Sequence, residues 1–132
     1  MFLRFSTLMA LFLSFSASAS VTENWTCYRN GSEFLKMEFD GKTYTASLQG
    51  VLEKISLKGQ GERPDELKGH EEPFYDTINY TIKINRSKIA AEGAEREMIR
   101  EKVSLHRDGY WDCYGRFTDS EALECTVEIE RQ

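Results

Sequence analysis

The chain has 132 residues, with 17 Lys and Arg against 22 Asp and Glu, for a formal net charge of −5. An acidic chain without a basic stripe repels a phosphate backbone instead of neutralising it, which excludes nucleic acid as a partner class. The length suits one domain that removes roughly two thirds of its unfolded surface from water, and past the N-terminus no apolar run approaches membrane-spanning length.

The first nineteen residues read as a secretory signal peptide: a single charge at Arg4, the apolar run from Leu8 to Leu13, and the small-residue ending Ala17-Ser18-Ala19. Cleavage after Ala19 is expected, leaving residues 20–132 as a single secreted β-domain in the periplasm or outside the cell. With Arg4 removed, that domain carries 16 basic and 22 acidic residues, a formal charge of −6. Cys27 lies too far from the cleavage point to be a lipid anchor. The cysteines at 27, 113 and 125 and the histidines at 70 and 106 form no metal-binding spacing. An exported chain meets an oxidising compartment, so a disulfide is the expected use of Cys27.

Thr22 to Tyr28 is the first expected strand. Asp40-Gly41 then reads as a two-residue type I′ hairpin loop that sets Phe39 opposite Lys42, Met37 opposite Tyr44 and Leu35 opposite Ala46. Further strands are expected at Thr43 to Gln49 and Val51 to Lys58. Residues 59–74, which include Pro64 and Pro73, read as one long polar loop. From Asp76 to Asn85 the period is two: Ile78, Tyr80, Ile82 and Ile84 share one face, and Thr77, Asn79, Thr81, Lys83 and Asn85 the other. A strand is expected at Lys88 to Glu92. The Ala, Glu, Arg and Met content of Ala90 to Lys102 allows at most one short helical turn near residues 90–100. Asp108-Gly109 reads as a three-residue bulged turn over residues 107–109 with Gly109 left-handed, pairing Leu105 with Trp111, Val103 with Cys113 and Ile99 with Phe117. The last stretch alternates with Leu123, Cys125, Val127 and Ile129 inward. Eight or nine short strands with no βαβ pattern predict an all-β, small antiparallel meander barrel, whose closure hides strand edges; a two-sheet sandwich is the alternative.

A last hairpin turning about Asp119 would set Cys113 opposite Cys125. Joining Cys27 to Cys125 instead closes a much longer loop, with an entropic contribution of roughly 4.5 against 3 kcal/mol, and suits a barrel whose first and last strands meet. Cys27 with Cys125 is therefore the favoured disulfide, Cys27 with Cys113 the alternative, and the spare thiol is expected to be buried and inert.

The polar loop holds candidate groups for a divalent cation or for acid-base chemistry in Asp65, His70, Glu71, Glu72 and Asp76; the competing reading is a solvated acidic loop. His106 reads as a surface residue, not a base. No nucleophile elbow, phosphate loop or Cys-His arrangement is present, and no cofactor is implied. The four asparagines, Asn24, Asn30, Asn79 and Asn85, all head Asn-x-Ser/Thr triplets, which are glycan sites if the chain passes through a eukaryotic secretory pathway.

Trp25-Thr26-Cys27, followed by Gly31 and Phe39-Asp40-Gly41, resembles the opening of small bacterial inhibitors of c-type lysozyme. That resemblance implies a small antiparallel barrel stapled near both ends. The family's serine-containing loop and Trp-x-Lys-Gly stretch are missing here, so no inhibitory residue carries over. The expected function is a secreted or periplasmic, non-enzymatic binding module for a protein or small molecule. It should act as a monomer that leaves the membrane once the signal peptide is removed. The alternatives are a lysozyme inhibitor and an enzyme or cation binder using residues 59–76.

Overall fold

The computed structural model describes residues 21–131 apart from 52, 62, 74, 86–88, 90 and 91; the expected signal peptide lies outside these residues. Eight antiparallel strands form one sheet: β1 (Val21–Arg29), β2 (Ser32–Phe39), β3 (Tyr44–Leu48), β4 (Ile55–Leu57), β5 (Glu66–Glu71), β6 (Thr77–Ile84), β7 (Arg96–Trp111) and β8 (Gly115–Arg131). Their order is β4-β3-β2-β1-β8-β7-β6-β5, and the sheet curls until its two edge strands meet. Lys58, just after β4, and Lys68 in β5 exchange two backbone hydrogen bonds of 2.8 Å. The result is a nearly closed meander barrel, in which curling removes most of the edge that an open sheet would expose.

Alternation places Trp25, Cys27, Leu35, Met37, Tyr80, Ile82, Val103, Leu105, Val127 and Ile129 inside, all essentially inaccessible to water. In a barrel of this strand number side chains fill the interior, leaving a core and not a channel. The Glu23 carboxylate is fully buried with them. Glu23 accepts a 2.9 Å hydrogen bond from Trp25 Nε1 and faces the Arg63 guanidinium at 3.6 Å, which offsets the cost of removing its charge from water. Cys27 and Cys125 are directly opposed across β1 and β8, with Cα atoms 4.0 Å apart, and form the disulfide. That bond is the favoured pairing, and it fits an oxidising compartment.

Several expectations about turns and strands are corrected. Phe39 pairs with Tyr44, Met37 with Ala46 and Leu35 with Leu48, so the first hairpin has a four-residue connection and not a type I′ loop. The slip is two residues, which preserves every face. The Asp40 carboxylate holds this turn by accepting the Lys42 and Thr43 amides at 2.9 Å each. Those bonds, the Thr43 amide first, lower its pKa.

No turn occurs at 107–109, because β7 runs unbroken to Trp111 and reverses through Asp112, Cys113 and Tyr114. Leu105 therefore faces Glu121, and Asp119 sits in mid-strand opposite Arg107. The left-handed glycine is Gly115, at φ 84°, not Gly109. Gly109 is required for a different reason: a Cβ there would lie 1.9 Å from the Thr77 carbonyl oxygen.

Residues 96–102 are strand and not helix, since pairing with β8 outweighs the local propensity. Ala90 and Ala91 lie outside the described residues, as does Lys88, while Ile89 and Glu92 are not in a strand. The loop expected at 59–74 contains β5, and the strand expected from Val51 shrinks to Ile55–Leu57. Cys113, expected to be buried, is exposed.

Candidate functional site

β1 covers β8 only from Glu124 to Arg131. Beyond that point β8 continues as Gly115–Leu123, paired with β7 on one side, while β7 is paired with β6 from Thr77 to Ile84. β5 flanks β6 in turn as far as Glu71, opposite Ile78, and this overhang carries three groups of side chains in succession along its length.

The first group closes the barrel mouth on the inner face. Arg29 grips the Glu121 carboxylate with two donors and lies 3.5 Å above the Phe34 ring. Arg107 makes a bidentate pair with Asp119, both contacts at 3.1 Å. The Tyr80 hydroxyl donates to Glu71; burial and then that bond push the phenol well above its ordinary pKa. These pairs satisfy one another across the open end of the barrel.

The second group lies on the outer face and contains both histidines. His70 Nδ1 donates to the Asn79 side-chain oxygen at 2.7 Å, and Asn79 Nδ2 donates to Asp108 at 3.1 Å. Asp108 also stands 3.3 Å from His106 Nε2, whose other nitrogen is 2.5 Å from Ser120 Oγ. His70 Nε2 faces Glu72 at 3.1 Å. The bond to Asn79, followed by that to Glu72, raises the His70 pKa. The Ser120–His106–Asp108 contacts hold the parts of a general-base relay. The His106 and Asp108 side chains are 40% and 48% exposed, however, so bulk water surrounds the groups that an enzyme would keep dry.

The third group is the apex. Trp111 stacks on Phe117 with centroids 4.6 Å apart and meets Tyr114 edge-on at 6.0 Å. Tyr110 lies on the opposite side of the ribbon, and the Asp76 carboxylate, next to Tyr75 in sequence, accepts the Asp112 amide at 2.8 Å and ties that segment to the turn. Tyr75 is 82%, Tyr114 83%, Tyr110 46% and Trp111 41% exposed; among the described residues only Met98 is another exposed large hydrophobic side chain. Cys113, a free thiol, stands at the centre of the turn.

The residues singled out in the polar loop do not converge. His70 points outward and Glu71 inward, Glu72 pairs with His70, Asp76 is committed to the apex, and the Asp65 carbonyl accepts the Ile84 amide at 2.7 Å. Among the described residues no three His, Cys, Asp or Glu side chains are placed to hold a metal ion. Of the sequon asparagines, Asn24, Asn30 and Asn85 are exposed, whereas the Asn79 amide nitrogen is engaged with Asp108. Sequence reasoning missed the His106–Ser120 contact and the aromatic apex. Both become visible once the turn is placed at 112–114, since that register sets His106 opposite Ser120 and gathers Tyr110, Trp111, Tyr114 and Phe117 at one end.

No protein-family model, curated protein or solved structure matches the chain.

Proposed function

We propose that this chain is an extracytoplasmic, non-enzymatic binding module, secreted or periplasmic, that docks a partner protein through the aromatic end of the β7–β8 hairpin. The observation that carries this reading is the clustering of Tyr75, Tyr110, Trp111 and Tyr114, exposed, around one turn of an otherwise polar surface. Rigid aromatic side chains provide large contact area at low entropic cost and dominate protein interfaces. At roughly 200 Å² per fully exposed ring, these four leave on the order of 500 Å² of aromatic surface uncovered, divided between the two sides of the hairpin tip. The filled barrel supports an external site, because Trp25, Tyr80 and Met37 occupy the space that a lipocalin-like ligand would need.

The test compares wild type with the Trp111→Ser, Tyr114→Ser double variant, each immobilised and exposed to an extracytoplasmic extract from the source cells. Wild type should retain a partner whose affinity falls by at least tenfold, about 1.4 kcal/mol, in the double variant. Equal retention by both proteins would remove the reading. A second reading, inhibition of c-type lysozyme, is favoured by the small barrel with its cross-linked first and last strands. Lysozyme turnover that is unchanged at micromolar concentrations of this protein would eliminate it.

A further inference from the structure

The overhang that carries the aromatic apex also exposes a row of backbone groups. Among the described residues no strand pairs with β8 on its β1 side between Gly115 and Leu123, and no backbone hydrogen bond from a loop reaches that stretch. The direction of each amide follows from the disulfide. Cys27 and Cys125 are a narrow pair, 4.0 Å apart at Cα, which is the spacing of opposed residues that do not exchange hydrogen bonds. Cys125 therefore directs its amide and carbonyl toward β7. The Arg131 amide, six residues on and of the same parity, agrees: it donates at 2.7 Å to Glu95, immediately before β7. The β7–β8 register has no bulge, so the alternation persists to the apex. Phe117, Asp119 and Glu121 bond to β7, while Arg116, Thr118 and Ser120 direct their N–H and C=O groups outward. Near Glu121 the edge meets the β1–β2 turn through Arg29, which leaves Gly115–Ser120 as the accessible length.

We propose that this edge receives an extended segment of a partner protein as an added β-strand, an inference that rests on the aromatic docking reading above. Strand addition draws affinity from main-chain hydrogen bonds and specificity from alternate side chains. Both faces of this edge define what those side chains must be. Arg116, on the outer face, is exposed and makes no ion pair with a described residue, so it calls for an acidic neighbour. Phe117, on the inner face, is stacked on Trp111 and calls for an apolar one. Successive residues of a strand point to opposite faces, so the incoming segment carries an acidic and an apolar residue side by side. Charged side chains at Arg116 and Asp119 discourage indiscriminate edge pairing, which favours a matched segment over aggregation or self-association.

The experiment uses a displayed library of random peptides about twelve residues long, long enough to span the edge at ~3.3 Å per residue. Enriched peptides should contain the adjacent acidic and apolar pair. A bound peptide should slow hydrogen exchange at the Arg116, Thr118 and Ser120 amides by at least about tenfold, leaving Phe117 and Asp119, already bonded to β7, unchanged. Thr118→Pro removes one outward N–H at an edge position that tolerates proline and should weaken binding about tenfold or more, whereas Thr118→Val keeps that N–H and should bind as wild type. The inference is overturned if no peptide is enriched, or if Thr118→Pro binds the selected peptides as wild type does. Dimerisation of the free chain with those three amides protected would assign the edge to a second copy and equally overturn it. The two readings separate cleanly. Peptides bound by Thr118→Pro but not by the Trp111→Ser, Tyr114→Ser variant would sink strand addition and leave aromatic docking standing; peptides bound equally by both variants would sink the two together.

Discussion

Residues 124–131 and 115–123 belong to one strand, share one partner in β7, and behave differently because only the first stretch is also covered by β1. Where both neighbours are present, the inward positions Cys125, Val127 and Ile129 are apolar and sealed. Where β1 ends, Leu123 is still sealed in the core, and the inward positions beyond it become Glu121 and Asp119, each neutralised by an arginine, and then Phe117 against Trp111. The composition of a strand face thus tracks what lies across it. A stretch with two ladder partners builds core, and a stretch with one builds a surface suited to recognition.

That contrast can be broken most severely from the covered side. Trp25→Ala should cost about 3–5 kcal/mol, because it opens a large cavity and removes the donor to the buried Glu23 carboxylate. Trp111→Ser in the overhang loses its stacking on Phe117 and should cost only about 0.5–1.5 kcal/mol. Urea unfolding of the two variants measures the difference directly.

Next in size is the staple. The bridge spans a sequence separation of 98 residues, so Cys27→Ser should lower stability by about 2–5 kcal/mol, and each kcal/mol should appear as roughly 4–8 °C in a melting experiment. Cys113→Ser should leave the melting temperature unchanged. The same asymmetry should show chemically: a maleimide should label Cys113 in the native protein and neither Cys27 nor Cys125.

A smaller effect sharpens the boundary within the overhang itself. Gly109→Ala places a methyl group against the Thr77 carbonyl and should cost about 1–3 kcal/mol, seen as faster hydrogen exchange in β6 and the end of β7 while β1 to β3 remain protected.

The smallest effect is a pH dependence confined to the outer face. The His70 pKa is raised above 6.5 by its bonds to Asn79 and Glu72, so the stabilising contribution is fully present below that value and fades as pH rises through the higher folded-state pKa. An NMR titration of the His70 ring should give a midpoint above 6.5 that returns toward that value in Asn79→Ala. A midpoint at or below 6.5 in the wild type would contradict the network.

Alternation made the walls legible in the sequence: the inward sets Tyr80, Ile82, Ile84 and Leu123, Cys125, Val127, Ile129 are the sets that the barrel buries. The turns were harder, for a local reason in each case. Asp-Gly pairs favour tight hairpins, yet Gly109 serves a close backbone approach from Thr77 that only the folded sheet creates. β5 was hidden because Leu67 is its single large apolar inward side chain. Gly69 takes the next inward place, where a Cβ would meet Leu57 and Ile55 at 2.7 and 2.8 Å. Nothing in so polar a stretch announces a strand that closes a barrel. The aromatic apex followed the misplaced turn: with reversal at 107–109, Trp111 and Cys113 belong to the core, and a shift of the reversal to 112–114 turns the same residues into surface.

The position of the disulfide has a mechanical consequence. A load carried by the overhang would peel β8 away from β1 in the manner of a zipper, one rung at a time from the end where the pairing begins. Tyr28 opposite Glu124 is the first rung, and Cys27 joined to Cys125 is the second. A tear started at the hairpin therefore meets a covalent stop after a single residue pair, and the force passes into the barrel wall as shear along the strands that flank it.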